Sequence, residues 1–317
     1  MINSTRSRTL QNVVCSEEEL TTFYSRFGPS ARSAYANASS AGLYETNIRS
    51  KIGQITYETL DNIIRQAAAL NLPQDILHQI VLISPGAFRN DFRVSIPTRY
   101  IYEILRNTLS DRKLEAAARL YVMFIRTPFT RAGARYMLDD GYHDVLRKGG
   151  EWQIVRMVAN RPGPKYTHWR EPGSTTDVEY FRVGYEGHPI TISMHPLSQD
   201  AIYQALPMRD YLPLSQLTLA DGYYRPSSGS EETLDSFIYE ASNKTATIFQ
   251  VTVSKKHSVK QGGIEWLRGL GVETFRFVAV MPPQTPLDLP FPNRWRNSVV
   301  PSIPDKYILV LDSLSPT

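Results

Sequence analysis

Asp235 opens the segment DSFIYE, the residues ASNK follow as a turn, and the extended run IFQVTVS then carries Gln250 and Thr252. Cleaving a phosphodiester with a divalent cation requires oxygen ligands for the metal and positive charge beside the scissile phosphate. A compact source is an aspartate at the start of one strand and, on the next strand, an acid and a lysine separated by one residue. Residues i and i+2 of a strand share a face, so both reach one metal. Here Gln250 and Thr252 hold the places of the acid and the lysine. A glutamine carbonyl still ligates a hard cation but brings no charge, and a threonine cannot replace an ammonium. The missing cation would come from Lys255, Lys256, His257 or Lys260, just past the strand. A blander reading stands beside this one. It has Asp235 capping a turn, Gln250 and Thr252 on a half-polar sheet face and the lysines in solvent, and from spacing alone it is the commoner outcome.

A second acid lies upstream in RAGARYMLDDGYHDVL. Asp139 and His143 are four residues apart and so share a helical face. Asp139 would join Asp235 at a metal while His143 aligns the helix; the alternative is the polar face of an amphipathic helix. Trp169, in KYTHWREPG, either stacks a base or covers the core, and the core is the usual place for such a ring.

The elements that must position these residues fall into two halves. Residues 1–126 read as an all-helical domain. SEEELTTFYSRF opens with a Ser16/Glu19 capping box, and ITYETLDNIIRQAAALNL and TRYIYEILRNTLSDRKLEAAARLYVMFIRT repeat the helical period between prolines. Residues 127–317 change character. After one more helix ended by Gly149 and Gly150, the strand candidates are EWQIVRMV, VEYFRVGY, PITISMH, SFIYEA, ATIFQVTVS, FRFVAVM and YILVLD, with the helix SVKQGGIEWLRGL between the fifth and sixth. That order predicts an α+β or α/β domain built on a mixed sheet flanked by helices.

Other chemistries lack their residues. There is no G-x-x-x-x-G-K-[ST] or G-x-G-x-x-G loop, no G-x-S-x-G elbow and no H-E-x-x-H. The single cysteine, Cys15, allows no internal disulfide and no cysteine cluster for zinc, and a reducing compartment suits it best. With 35 Lys and Arg against 31 Asp and Glu, the +4 charge permits a nucleic-acid partner without demanding one. The N-terminus shows no apolar core of a Sec-type signal, and no run approaches a membrane span, so a soluble chain is expected.

Taken together, LDSFIYEASNKTATIFQVTVSKKHSVKQGGIEWLRGL and TFRFVAVMPP resemble the C-terminal region of Crinkler and retrotransposon-hot-spot type proteins, a nuclease-like domain of the PD-(D/E)XK, restriction-endonuclease-like superfamily. Asp235, Ser236 and Phe237 match its first strand, Phe249, Gln250 and Thr252 its Phe-Gln-x-Thr, His257 and Lys260 its His-x-x-Lys, and Pro282 and Pro283 its closing prolines. The helix with Asp139 and His143 is similar to the family's first helix, where a glutamate usually stands in place of Asp139. FYSRFGPSARSAYANA, with Gly28, Pro29 and Arg32, looks like the end of the ATPase region that precedes the domain in longer members, so this chain would be a shortened one lacking the phosphate loop.

The resemblance implies a restriction-endonuclease-like fold over 127–317, DNA as partner and Mg²⁺ as cofactor. It implies Asp139, Asp235 and Gln250 as metal ligands, and a catalytic set of Asp235, Gln250, Thr252, Lys256, His257 and Lys260. It further implies an effector or mobile-element role inside cells, in the nucleus, including a host nucleus reached after secretion, with host nuclear proteins as further partners. The exchanged glutamine and threonine keep a second implication open, a nuclease-fold module that no longer cuts and binds DNA or protein. A structural protein whose helical half forms an interface is a third reading. The oligomeric state is left open.

Overall fold

A computed structural model of the chain describes residues 15–69, 77–85, 92–109, 113–173, 178–197, 201–212, 214–227, 234–253, 259, 261–293, 303, 305–312 and 314. The chain divides into two compact units, Met1–Lys113 and Leu114–Thr317.

The first unit holds α1 (Glu17–Phe27), α2 (Ala31–Asn37), α3 (Ala41–Ile52), α4 (Tyr57–Ala68), α5 (Leu77–Ile80), β1 (Leu82–Pro85), β2 (Phe92–Ser95) and α6 (Arg99–Leu109). The expected capping box starts α1. Ser16 Oγ accepts from the Glu19 amide at 3.1 Å, and the Glu19 carboxylate accepts from the Ser16 amide at 2.7 Å. Phe23 and Phe27, one turn apart, close on Tyr44 of α3 with ring centroids 4.9 and 5.0 Å away. The all-helical reading of this half is corrected by β1 and β2, which pair antiparallel from Leu82↔Ser95 to Pro85↔Phe92. LISP and FRVS are four residues each, too short to display an alternation that sequence reading can use.

The second unit contains α7 (Lys113–Ile125, all but its first residue), a single 3₁₀ turn at Arg131–Ala134, α8 (Arg135–Lys148), β3 (Gly150–Arg156), β4 (Val158–Pro162), β5 (Tyr166–Arg170), β6 (Val178–Tyr185), β7 (His188–Ser193), β8 (Met208–Tyr211), β9 (Gly222–Pro226), β10 (Ser236–Glu240), β11 (Thr245–Val251), α9 (Gln261–Gly269), β12 (Thr274–Met281), β13 (Leu289–Pro292) and β14 (Asp305–Val310). Nine of its strands form one mixed sheet in the order β7-β6-β3-β14-β12-β11-β10-β9-β8, and β13-β5-β4 form a small antiparallel one. With the helices of the first unit, this is an α+β protein. All seven strand candidates and the helix between them are present. Beyond those seven, β4, β5, β8, β9 and β13 are added, all of four or five residues.

The centre of the large sheet is β11, every residue of which is buried, beside β12 with its run FVAVM. Strands covered on both faces read as continuous apolar runs, and these two pair in parallel with α9 as the crossover. On one face Ile264 and Leu267 of α9 join Phe237, Ile248 and Phe277 in the core, and Trp266 stacks on Tyr211 at 5.1 Å. On the other, Tyr142 of α8 donates to Ser236 Oγ of β10 at 3.3 Å. Gly149 ends α8 with φ +87°, its amide donating to Leu146 O at 3.2 Å. Gly150 is then the first residue of β3, so the glycine pair is a helix stop feeding directly into the sheet.

Candidate active site

The β10–β11 hairpin sets the site. Its register runs from Glu240↔Thr245 to Ser236↔Phe249, so the loop is Ala241–Lys244, as the ASNK turn predicts, and one more step places Asp235 opposite Gln250. Gln250 Nε2 donates to Asp235 Oδ2 at 2.5 Å, and the Val251 amide donates to the same oxygen at 2.6 Å. Asp235 Oδ1 receives no hydrogen bond among the described residues. Gln250 is buried and Asp235 half-buried.

Removal from water is the main force on Asp235 and pushes its pKa up from 3.8 to about 6. The Val251 amide opposes this. The Asp139 carboxylate of α8 adds to the rise, whereas the Gln250 amide and the Arg135 guanidinium hold it down. Asp139 itself lies 3.8 Å from Arg135, one helical turn earlier. The two predicted acids are thus brought within electrostatic reach of each other, on an arrangement that disfavours two uncompensated negative charges.

Behind Asp235 lies a buried relay. Tyr223 of β9 donates to Ser236 Oγ at 2.8 Å and shares a 2.9 Å hydrogen bond with His143 Nδ1. The Tyr223 hydroxyl thus links the His143 ring to Ser236, each of the three groups able to donate or accept. Burial raises the pKa of both Tyr142 and Tyr223, so both phenols are neutral donors. His143 therefore clamps α8 to β9 and β10 next to Asp235, the aligning role that its spacing from Asp139 suggests. Tyr223 and Tyr142 were not among the expected site residues. Arg135 had a legible signal, its four-residue spacing from Asp139; Tyr223 had none, because β9 is too short to read.

Thr252 is buried just past β11, its amide donating to Val280 O at 3.0 Å. Lys255, Lys256, His257 and Lys260 lie outside the described residues, and the place of the catalytic cation with them. Among the described residues no three His, Cys, Asp or Glu side chains gather as a metal group. The donors at hand are the Asp235 carboxylate, the Gln250 side chain bonded to it, and the Asp139 carboxylate, whose charge acts on Asp235. All offer oxygen, and among the described residues no donor reaches Asp235 Oδ1, a chemistry that fits a hard cation keeping several waters, such as Mg²⁺. Trp169 resolves to the core side, with Lys306 Nζ 4.0 Å over its ring. No described helix is long and apolar enough to cross a membrane.

Compared with known proteins, the chain matches no family model, no curated protein and no solved structure.

Proposed function

We propose that the second unit is a restriction-endonuclease-like domain of the Crinkler and retrotransposon-hot-spot type, which binds DNA and cuts it with Mg²⁺. The observation that carries this reading is the Asp235 carboxylate, half-buried just before β10 and tied to Gln250 on the facing strand, its pKa pushed up chiefly by burial and further by the charge of Asp139. A carboxylate kept in that state gains from a divalent cation what water would otherwise supply.

Asp235 and Asp139 would hold the metal, with the Gln250 carbonyl as a neutral third donor. When bound, Mg²⁺ supplies positive charge at the scissile phosphate and acidifies water there. Gln250 and the Val251 amide fix the rotamer of Asp235 through Oδ2, leaving Oδ1 for the ligand. His143, through Tyr223 and Ser236, holds the helix that carries Asp139. The remaining charge at the phosphate would come from Lys255, Lys256, His257 or Lys260, which follow in the sequence and lie outside the described residues, while Thr252 holds the sequence position of the usual lysine. Host nuclear proteins as further partners, and a nuclear location, belong to the same proposal.

A second reading has one observation in its favour. The amide of Gln250 occupies Asp235 Oδ2, the position where a second carboxylate would repel it, so the pair also works as a structural bridge in a domain that binds DNA without cutting. Cleavage of plasmid and single-stranded DNA, with Mg²⁺, with EDTA and with Asp235→Ala, separates the two. Metal-dependent cutting lost in the variant supports the nuclease. Absence of cutting, with salt-sensitive binding kept by the variant, supports the binder, and absence of both overturns the DNA reading.

A further inference from the structure

The small sheet β13-β5-β4 has two unlike faces. Thr167 and Trp169 of β5, with Leu289 and Phe291 opposite them, turn inward, and Leu289, Phe291 and Thr167 are buried. Strand alternation therefore sends Tyr166, His168 and Arg170 outward together. Arg161 of β4 stands opposite His168, and Asn160 is the extra residue of a bulge between Ala159 and Arg161, a device that re-aims side chains at a sheet's edge.

At one end of this outer face lies an open cleft of about 480 Å³, lined by Asn160, Arg161, Arg170, Glu171 and Asp288 among others. None of the Asp235 site residues lines it. His168 Nδ1 lies 2.8 Å from the Asp288 carboxylate, which occupies that acid. Arg161 and Arg170 make no hydrogen bond or ion pair among the described residues. Several guanidiniums elsewhere in the unit are engaged, Arg156 with Glu179 and Asp305, Arg182 with Glu151 and Arg276 with Glu240, and what sets Arg161 and Arg170 apart is that both line one cleft. Two adjacent guanidiniums with their donors unspent in a concave polar site match the oxygens of a phosphodiester. Tyr166, half-exposed on the same face of the same strand, offers a ring on which a base can stack.

We infer that the outer face of β13-β5-β4 is a second nucleic-acid contact, in which Arg161 and Arg170 grip the phosphates of a single strand and Tyr166 stacks on a base. This inference rests on the nucleic-acid reading of the second unit, but not on cleavage. Glu171, an acid of the cleft with no ion pair among the described residues, works against the bound phosphate and tunes the affinity down.

The test uses a fluorescently labelled single-stranded DNA 20-mer and the full chain in EDTA, with anisotropy measured across a salt series. Arg161→Gln with Arg170→Gln should weaken binding about tenfold and lower the slope of log affinity against log salt by about 1.4, the value for two phosphate contacts on a single strand. Tyr166→Ala should weaken binding at an unchanged slope, and Glu171→Gln should tighten it. An unaltered melting temperature checks that each variant folds. Wild-type affinity and slope in the double arginine variant would overturn the inference and leave the DNA reading standing. No binding by the wild type at low salt would overturn both. An equal loss of binding to a poly-glutamate chain would overturn phosphodiester recognition in favour of a general polyanion site.

Discussion

Gln250 and Asp235 face each other across the β10–β11 hairpin, joined by a 2.5 Å hydrogen bond from the glutamine amide to the carboxylate. The bond places a neutral donor where the nuclease pattern has a second acid. It lets a half-buried aspartate stay ordered without a metal, and it defines what substitution at either residue should do.

Asp235→Asn should stabilise the metal-free protein at neutral pH. The folded-state pKa of Asp235 is raised, to about 6 against an ordinary 3.8, so the folded protein binds the proton more tightly than the unfolded chain. Its contribution is most favourable below about pH 4, is lost as pH rises to about 6, and stays lost above. The asparagine oxygen keeps both bonds that Oδ2 accepts and removes the charge. A gain on the order of 1–3 kcal/mol at pH 7 in EDTA, shrinking towards zero at pH 4, is expected from denaturant titrations. A flat difference between pH 4 and 7 would sink this account of Asp235.

Millimolar Mg²⁺ or Mn²⁺ should raise the melting temperature of the wild type and not of Asp235→Asn, since a ligand that binds only the folded state stabilises it by mass action. An equal response in both proteins would place any metal elsewhere.

Gln250→Glu exchanges a donor for a third negative charge near Asp139 and Asp235. In EDTA at pH 7 the variant should lose about 1–3 kcal/mol, and divalent metal should restore more stability than it adds to the wild type. The comparison of melting temperatures with and without Mg²⁺ checks both halves. If the variant cuts DNA faster than the wild type, the glutamine is a brake on the chemistry.

Tyr223→Phe removes the hydroxyl that hydrogen-bonds both His143 Nδ1 and Ser236 Oγ in a buried setting. A cost of about 1–3 kcal/mol is expected. Loss of DNA cleavage beyond what stability explains would show that the relay positions Asp139.

Gly184→Ala tests the backbone of the sheet beside α8. Gly184 sits at φ +72°, and a Cβ there would lie 1.9 Å from the Gln204 carbonyl oxygen. Since that neighbour is backbone, the expected cost is about 3 kcal/mol or more, read as a fall in melting temperature.

Local patterning made much of this legible. The capping box, the helix stop at Gly149, seven strands and the α9 crossover each depend on neighbours in the chain, and the ASNK loop alone fixes the register that puts Asp235 opposite Gln250. The spacing of Asp139 and His143 likewise signals one helical face. What stayed hidden were β1, β2, β4, β5, β8, β9 and β13, each of four or five residues, because so short a run shows little alternation; β10 is as short, and its apolar SFIYE beside the ASNK turn made it legible.

The sequence by itself therefore determined the α+β class and the pairing at the heart of the candidate site, since both follow from periods of two and 3.6 and from one short loop. Only the tertiary structure decided that the charge of Asp139 bears on Asp235, that His143 reaches Ser236 through a tyrosine eighty residues later, and that Arg161 and Arg170 line one cleft with no ion pair among the described residues. Those relationships depend on the order of nine strands and on which face each helix covers. They are set by burying apolar surface over long sequence separations, which no local pattern encodes.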